Sequence, residues 1–133
     1  MIIGIGCDIV EHALTEKLNW LTDIQVQKRI FSHQELELYS KNKTVKFLAG
    51  RFAAKEAILK SLGTGMEDGL LLTSIQILQA KDGKPTVALD GEVKKISDLM
   101  LINSWHVSIS HTTNYSYASV VAERLFNVPA VSH

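Results

Sequence analysis

Five side chains in the middle of the chain have the types and the spacing to do chemistry. Phe52, Glu56 and Lys60 recur every four residues, and on a helix this interval places a ring, a carboxylate and an ammonium group in one row along a face. Arg51 and Lys55 form a second, basic row beside it. The pattern leaves two interpretations open. It is either a ligand site or an ordinary Glu–Lys ion pair on a solvated face, which contributes about 0.2–0.5 kcal/mol.

A helix from about Phe47 to Leu62 is predicted to position these side chains. Alanine and leucine, both good helix formers, fill this stretch, and no proline interrupts it. Gly63 comes directly after the predicted end of the helix, where a residue in the left-handed conformation is common, and Gly65 keeps the chain after the helix flexible. Because the alanines are small, another backbone or a bulky ligand could come close to the helix.

A second carboxylate, Asp8, lies near the end of the first predicted strand. Residues 2–10 alternate and predict a buried strand, with Gly4, Gly6 and Asp8 on one face. The glycines leave this face without side chains, so that something can approach the backbone or the carboxylate. A carboxylate in such a strand is costly unless a cation or hydrogen bonds meet it. Asp8 is therefore a candidate site residue.

The remaining pattern predicts an α+β fold in one domain. The order of strand, helices, hairpin, helix and hairpin favours this class over a parallel α/β fold. We assign the domain to residues 1–126 and a tail with little pattern, prone to fraying, to 127–133. The other predicted elements are a loosely patterned helix from Thr15 to Arg29, a helix capped by Ser32 and Glu35 that runs to about Tyr39 or Lys41, a strand from Leu70 to Gln79, a turn at Asp82–Gly83, a strand from Thr86 to Leu89, a helix from Glu92 to about Leu101, and strands at Trp105–Ser110 and Tyr115–Glu123.

Composition and charge argue against several classes of protein. The net charge is zero, which does not support a general electrostatic surface for nucleic acid or membrane. No apolar run approaches the roughly 20 residues that span a bilayer, and the N-terminus lacks the basic region of a signal peptide. One cysteine cannot form an internal disulfide, which fits a reducing cytoplasm.

The charges are nevertheless unevenly distributed. Between residues 28 and 60, eight Lys or Arg residues outnumber three Glu residues, a local net charge of +5. A basic segment on a neutral protein indicates a localised anionic partner, such as a phosphorylated ligand or an acidic protein surface.

Three motifs in this order resemble one family of enzymes. They are G-I-G-C-D-I-V-E at the start, R-F-A-A-K-E-A-I-L-K-S-L-G-T-G in the centre and H-V-S-I-S-H-T near the end, with a K-D-G-K-P hairpin between the last two. From about Ile3 to Arg124 the chain resembles the holo-[acyl-carrier-protein] synthases among the phosphopantetheinyl transferases. The resemblance implies an antiparallel sheet with a long central helix packed on it. It also implies transfer of 4'-phosphopantetheine from coenzyme A to a serine of apo acyl carrier protein, with release of adenosine 3',5'-bisphosphate, in support of fatty acid biosynthesis.

The resemblance further implies a set of site residues. Asp8 and Glu56 would be the protein ligands of Mg²⁺, a small hard cation that keeps waters and borrows oxygens from a pyrophosphate. Lys60 would hold a phosphate oxygen and stabilise transition-state charge. The catalytic base stays open between a metal-bound water and Glu56. Candidates for other contacts to the coenzyme are Arg51, Lys55, the backbone N–H groups of Gly63, Thr64 and Gly65, and His111 and Thr112, which family members often supply from a neighbouring subunit.

Assembly and partner follow from the same resemblance. The family usually forms a homotrimer with sites between subunits and docks an acidic carrier protein on a basic surface that includes the first helix. Here the sequence departs from the family, because Leu14 stands near the place where an arginine is usual. Lys17, Lys28 and Arg29 are candidate substitutes for that arginine.

Two other classes explain part of the pattern. A small α+β domain that binds a nucleotide or coenzyme A without chemistry would account for the strands and the basic segment. It gives no reason for Asp8 and Glu56 to converge. A cysteine-dependent hydrolase would pair Cys7 with His106 or His111 and needs an exposed thiol that ionises readily. We interpret Cys7, in its apolar strand, as a small buried hydrophobe, and His106 as a structural residue.

Overall fold

A three-stranded antiparallel sheet and one long helix form the centre of the fold. The computed structural model describes residues 1–65 and 69–126, and the predicted tail at 127–133 lies outside this part. The strand order of the main sheet is β1-β5-β4, and β2 and β3 form a separate hairpin. The predicted α+β class and the antiparallel sheet are confirmed. The elements are β1 (Ile2–Glu11), α1 (His12–Lys17), α2 (Ile24–Ile30), α3 (His33–Ser40), α4 (Val45–Ser61), β2 (Ile75–Gln79), β3 (Pro85–Leu89), α5 (Gly91–Leu99), β4 (Ser104–His111) and β5 (Tyr115–Glu123).

The central helix α4 begins and ends close to the predicted residues. The Thr44 hydroxyl caps its start by accepting the N–H of Phe47 at 3.1 Å. At its end Gly63 has φ of 76°, the left-handed conformation that glycine adopts without a Cβ penalty. The N–H groups of Gly63 and Thr64 then donate to the carbonyls of Lys60 and Leu59, both at 3.0 Å. This pair of bonds is a Schellman motif, which satisfies carbonyls at the end of a helix.

Two glycines let α4 pack directly on β1. A Cβ built on Gly6 would lie 2.0 Å from the carbonyl oxygen of Ala57, and one built on Gly4 would lie 2.0 Å from that of Ser61. The prediction that this face of the strand admits a close approach is therefore confirmed. What approaches is the backbone of the central helix, because no side chain larger than hydrogen fits between the two elements.

The opposite face of β1 is exposed, which corrects the prediction of a buried strand. Ile5 and Ile9 are 70% and 62% exposed, and Cys7, between them, is exposed as well. The strand is covered only where α4 lies on it, at Val10 and the residues in phase with it. Cys7 is thus a surface residue of the chain and not a small buried hydrophobe.

The segment between β1 and α3 contains two short helices instead of one. Asn19 adopts a left-handed φ of 59°, which asparagine tolerates better than most residues, and the chain turns there. Asp23 then caps α2 by accepting the N–H groups of Gln25 and Val26. The predicted single helix from Thr15 to Arg29 is therefore wrong.

The predicted cap of α3 is confirmed. Ser32 and Glu35 form a reciprocal capping box at its start. Trp20 packs against α4, with its ring centroid 4.8 Å from that of Phe52.

The hairpin of β2 and β3 matches the predicted turn but begins later than expected. Gly83 has φ of 87° in the turn, and Ala80 donates its N–H to the carbonyl of Lys84. Residues Leu72–Ser74 form a 3₁₀ turn, so the strand predicted from Leu70 starts at Ile75. None of the helices in the described ranges is long and apolar enough to cross a bilayer.

Candidate functional site

A cleft beside the second half of α4 contains both predicted carboxylates. Asp8 reaches it from β1 and Glu56 from α4, and the cleft has a volume of about 480 Å³. Glu11, Phe52 and Tyr115 also line it. We call it the carboxylate cleft. Because Asp8 lies on the helix-facing side of β1, in register with Ala118 of β5, its side chain is directed to the same side of the sheet as α4.

Lys60 joins the two elements at the edge of this cleft. Its Nζ donates to Asp8 Oδ1 at 2.9 Å and to the carbonyl oxygen of Cys7 at 3.0 Å. The hydrogen bond to Asp8 raises the pKa of Lys60, and the nearby charge of Glu56 acts in the same direction. Lys60 is therefore a cation, and its side chain is half exposed.

The donors of the carboxylate cleft fit a hard divalent cation. Carboxylate oxygens are the ligands that Mg²⁺ prefers, and this ion usually takes one or two of them and keeps several waters. Within residues 1–65 and 69–126, no group of three or more His, Cys, Asp or Glu side chains is arranged to hold a metal. Asp8 and Glu56 offer two carboxylates, a number that such an ion commonly takes.

A second cleft lies beside the first half of α4 and is lined by basic groups. It has a volume of about 450 Å³, and its walls include Lys46, Arg51 and His111. Gly50, and Gly83 and Pro85 of the hairpin, also line it. We call it the basic cleft. Lys46 is not among the residues predicted from the sequence to contact a ligand, although it lies one helical turn before Gly50.

Arg51 is held rigidly in the wall of the basic cleft. Its Nε donates to the carbonyl oxygen of Ile77 at 3.1 Å, and its guanidinium lies 3.7 Å from the centroid of the Phe47 ring. Burial lowers the pKa of Arg51, and the Glu35 carboxylate opposes that effect. An arginine stays charged in proteins, so the cleft carries a fixed positive charge.

His111 faces Arg51 from the end of β4. Its Nδ1 is 2.7 Å from the hydroxyl of Ser116, and a Cβ built on Gly50 would lie 2.7 Å from its Cε1. Desolvation lowers the pKa of His111, and the charges of Lys46 and Arg51 lower it further. The ring is therefore neutral near pH 7.

Comparison with known proteins identifies the family. Residues 4–118 match the model of the 4'-phosphopantetheinyl transferase superfamily. The chain belongs to this superfamily. A holo-[acyl-carrier-protein] synthase of Hydrogenovibrio crunogenus is 41% identical over 124 residues, which cover 92% of this chain and 98% of that protein.

Solved structures agree with the sequence comparison. The crystal structure of the holo-[acyl-carrier-protein] synthase of Neisseria meningitidis has a TM-score of 0.84 and 34% identity, and the match covers 93% of this chain and all of that one. The enzyme of Bacillus anthracis, solved in complex with CoA (3',5'-ADP), has a TM-score of 0.76 and 33% identity, with 94% and 99% covered. The predicted resemblance is confirmed, and the chain is a phosphopantetheinyl transferase.

Lys55, predicted to contact the coenzyme, lies in the core of this transferase. Its side chain is fully buried, and Nζ donates to the Glu35 carboxylate and to the carbonyl oxygens of Leu72 and Ile75. Burial lowers the pKa of Lys55, and Glu35 counteracts it. Because an ammonium group has three protons and all are donated inside the fold, none remains for a phosphate. We therefore remove Lys55 from the candidate site.

The glycine-containing loop after α4 also differs from its predicted role. The N–H groups of Gly63 and Thr64 close the helix, as described above, so they do not point to a nucleotide. Gly65 lies at the edge of the described residues and stays a prediction. The Thr112 hydroxyl accepts the N–H groups of Asn114 and Tyr115 in the turn between β4 and β5, which leaves its predicted contact to the coenzyme untested.

The fold does not bring Cys7 together with His106 or His111, as a cysteine hydrolase would need. Cys7 is on the exposed face of the sheet, whereas His111 bonds to Ser116 on the helix-facing side. His106 shares the exposed face, but β5 separates its strand from β1, and its Nε2 lies 2.9 Å from Glu123 Oε1. Neither histidine is placed to activate the thiol.

Proposed function

We propose that this protein transfers 4'-phosphopantetheine from coenzyme A to a serine of apo acyl carrier protein, in a Mg²⁺-dependent reaction that releases adenosine 3',5'-bisphosphate. The convergence of Asp8 and Glu56 on one cleft, with Lys60 bonded to Asp8, is the observation that supports it best. A domain that only bound a nucleotide would have no need for two carboxylates beside a cation. The reaction would serve fatty acid biosynthesis in the cytoplasm.

The residues at the carboxylate cleft would have different roles in phosphoryl transfer. Asp8 and Glu56 would hold Mg²⁺, which would supply positive charge to offset the negative charge that develops on the leaving phosphate. Lys60, a cation at the edge of the cleft, would hold a phosphate oxygen and stabilise the charge that develops. The group that accepts the proton of the carrier serine would be Glu56 or a metal-bound water.

The basic cleft would bind the nucleotide part of coenzyme A. Arg51 supplies a fixed, desolvated positive charge, and Lys46 adds a second. His111 lies beside them. The two clefts open beside opposite halves of α4 and have no lining residue in common. We therefore propose that one coenzyme is held by the carboxylate cleft of one subunit and the basic cleft of a neighbour.

The exposed face of the main sheet supports a homotrimer. Ile5, Ile9 and Tyr117 are among the large apolar side chains exposed there, and exposed apolar patches commonly mark protein–protein contacts. We expect the protein to sediment at three times the mass of one chain. Ile5→Asp should produce monomers, whereas Leu99→Asp, at a residue of α5 that is 83% exposed, should leave the trimer intact. A wild-type monomer at assay concentration would contradict this assembly.

Gly50→Ala is expected to weaken the binding of coenzyme A about tenfold, a cost of about 1.4 kcal/mol. The new methyl group would lie 2.7 Å from His111 Cε1 and 2.9 Å from Ile109 Cγ2, so both side chains must move in the basic cleft. The helix itself should gain roughly 0.5–1 kcal/mol from the substitution. Calorimetric titration with coenzyme A measures the affinity, and thermal unfolding separates it from stability. Unchanged affinity would exclude Gly50 and its neighbours from the binding site.

Intact mass spectrometry of a carrier protein tests the reaction directly. Apo acyl carrier protein incubated with this protein, coenzyme A and Mg²⁺ should gain the mass of one phosphopantetheine. The gain should be absent with a chelator and absent when the carrier serine is alanine. Because Leu14 departs from the family at the carrier surface, several carriers, including that of the source organism, should be offered. Binding of coenzyme A without any mass gain would favour the non-catalytic alternative.

A further inference from the structure

A chain of three hydrogen-bonded side chains, two of them buried, connects α1 to the basic cleft. His12 Nδ1 is 2.9 Å from the carbonyl oxygen of Thr113, and His12 Nε2 is 2.8 Å from the hydroxyl of Ser116. The same hydroxyl is 2.7 Å from His111 Nδ1. His12 and Ser116 are buried, so the bond between them is shielded from water.

The chemistry of the donors fixes the direction of this chain. A carbonyl oxygen only accepts, so His12 must donate to Thr113 from a protonated Nδ1. In a neutral imidazole the other nitrogen is then an acceptor, and His12 Nε2 must accept the hydroxyl proton of Ser116. A hydroxyl has one proton, which leaves Ser116 only an acceptor toward His111. His111 must therefore donate to it from Nδ1.

We propose that Ser116 and His12 are positioning residues that hold His111 as its Nδ1–H tautomer and thereby present Nε2 to the basic cleft as the proton-accepting atom of the ring. The geometry agrees, because the Cε1–Nε2 edge of the ring lies over Gly50, which lines that cleft. The protonation of one ring nitrogen of a histidine is commonly set by the hydrogen bond that the other nitrogen makes.

This arrangement gives His111 a defined chemistry toward a phosphorylated ligand. The titratable groups that face it are Lys46 and Arg51 from α4 and His12 from α1. Desolvation and the charges of Lys46 and Arg51 keep the free ring neutral. A phosphate entering the cleft would offset those two positive charges, so Nε2 takes up a proton and donates a hydrogen bond to the phosphate. This consequence rests on the proposed function, whereas the tautomer of His111 does not.

Nitrogen-15 spectra of the histidine side chains test the tautomer without any assay of activity. They should be recorded near pH 8, above the ordinary histidine pKa of about 6.5, and the five histidines can be assigned by single substitutions. We expect a protonated Nδ1 and an unprotonated Nε2 for His111 in the wild-type protein. A predominant Nε2–H tautomer would overturn the proposal.

Two variants test the positioning roles. Ser116→Ala removes the acceptor of Nδ1–H, and His12→Asn keeps a group that can reach Thr113 but frees the Ser116 hydroxyl to turn toward His111. Both should move His111 toward the Nε2–H tautomer. Ser97→Ala, which changes a buried serine on α5, should leave it unchanged. An unaltered His111 signal in both folded variants would overturn the roles of Ser116 and His12.

Binding measurements test separately whether His111 takes up a proton when a phosphate binds. Titration of the wild-type protein with adenosine 3',5'-bisphosphate in buffers of different ionisation enthalpy should show proton uptake, which Ser116→Ala should reduce. Ser116→Ala should also raise KM for coenzyme A a few-fold, because a neutral Nε2–H is a weaker donor to a phosphate than the protonated ring, and change kcat less than twofold. If the wild-type protein transfers no phosphopantetheine, the proposed function fails while the tautomer result stands. Normal transfer without proton uptake would contradict the consequence drawn here.

Discussion

Asp8→Ala and Glu56→Ala are each expected to lower kcat/KM for carrier modification by at least about 10²–10³-fold, the range seen when one preorganised electrostatic contact to a transition state is removed. Each variant removes one of the two proposed metal ligands among the carboxylates of the carboxylate cleft, which leaves the ion with a single protein ligand. The folded protein should persist, because the Asp8–Lys60 ion pair has a half-exposed lysine, and such pairs contribute about 0–1 kcal/mol.

Glu11→Gln is the matched control for these variants. Glu11 lines the same cleft but has no assigned ligand role, and its loss of charge should change kcat/KM only a few-fold. Rates should be followed by mass spectrometry of the carrier while the concentration of Mg²⁺ is varied, with circular dichroism as a check on folding. If Asp8→Ala or Glu56→Ala retained near-normal rates, the metal assignment would be wrong.

Lys55→Met is expected to lower the free energy of unfolding by about 3–5 kcal/mol, the cost of breaking a buried ion pair by removing one partner. The variant leaves the Glu35 carboxylate buried without its cation and leaves the carbonyls of Leu72 and Ile75 without their donor. Methionine has nearly the length of lysine, so the loss comes from charge and hydrogen bonding more than from packing.

Urea unfolding at fixed protein concentration measures this effect, with Lys94→Met as the control. Lys94 pairs with Asp98 on the exposed surface of α5, and an exposed pair of this spacing is worth about 0.3–0.5 kcal/mol. A Lys55→Met variant as stable as Lys94→Met would show that the buried pair contributes no more than a surface one.

Most elements of the fold that were predicted correctly depend on local signals in the sequence. The capping box at Ser32 and Glu35, the Asp82–Gly83 turn and the glycine after α4 each depend on a few neighbouring residues, and all three are where the pattern placed them. The single helix predicted from Thr15 to Arg29 failed because its interruption at Asn19 depends on a left-handed residue, which apolar spacing does not reveal.

Partners distant in sequence were harder to predict. No residue near Lys55 in the sequence indicates that Glu35 contacts it in the core. The charge of Lys55 is therefore predicted from the sequence to contact a ligand. Glu35 was recognised only as a cap, although it also accepts the N–H of Ile77 at 3.1 Å. The exposed face of β1 was missed for a related reason, because apolar alternation does not distinguish a face buried by the chain itself from one that another copy could cover.

The glycine contact between β1 and α4 also determines how Asp8 is placed in the carboxylate cleft. Two strand residues advance about 6.6–6.8 Å, close to the roughly 6 Å of four helix residues. The steps therefore stay nearly in phase as Gly4 meets Ser61 and Gly6 meets Ala57, and Asp8 is the next residue on the same face of the strand. This contact fixes which face of β1 the carboxylate of Asp8 occupies. One residue inserted into β1 before Asp8 would turn that carboxylate to the other face of the sheet.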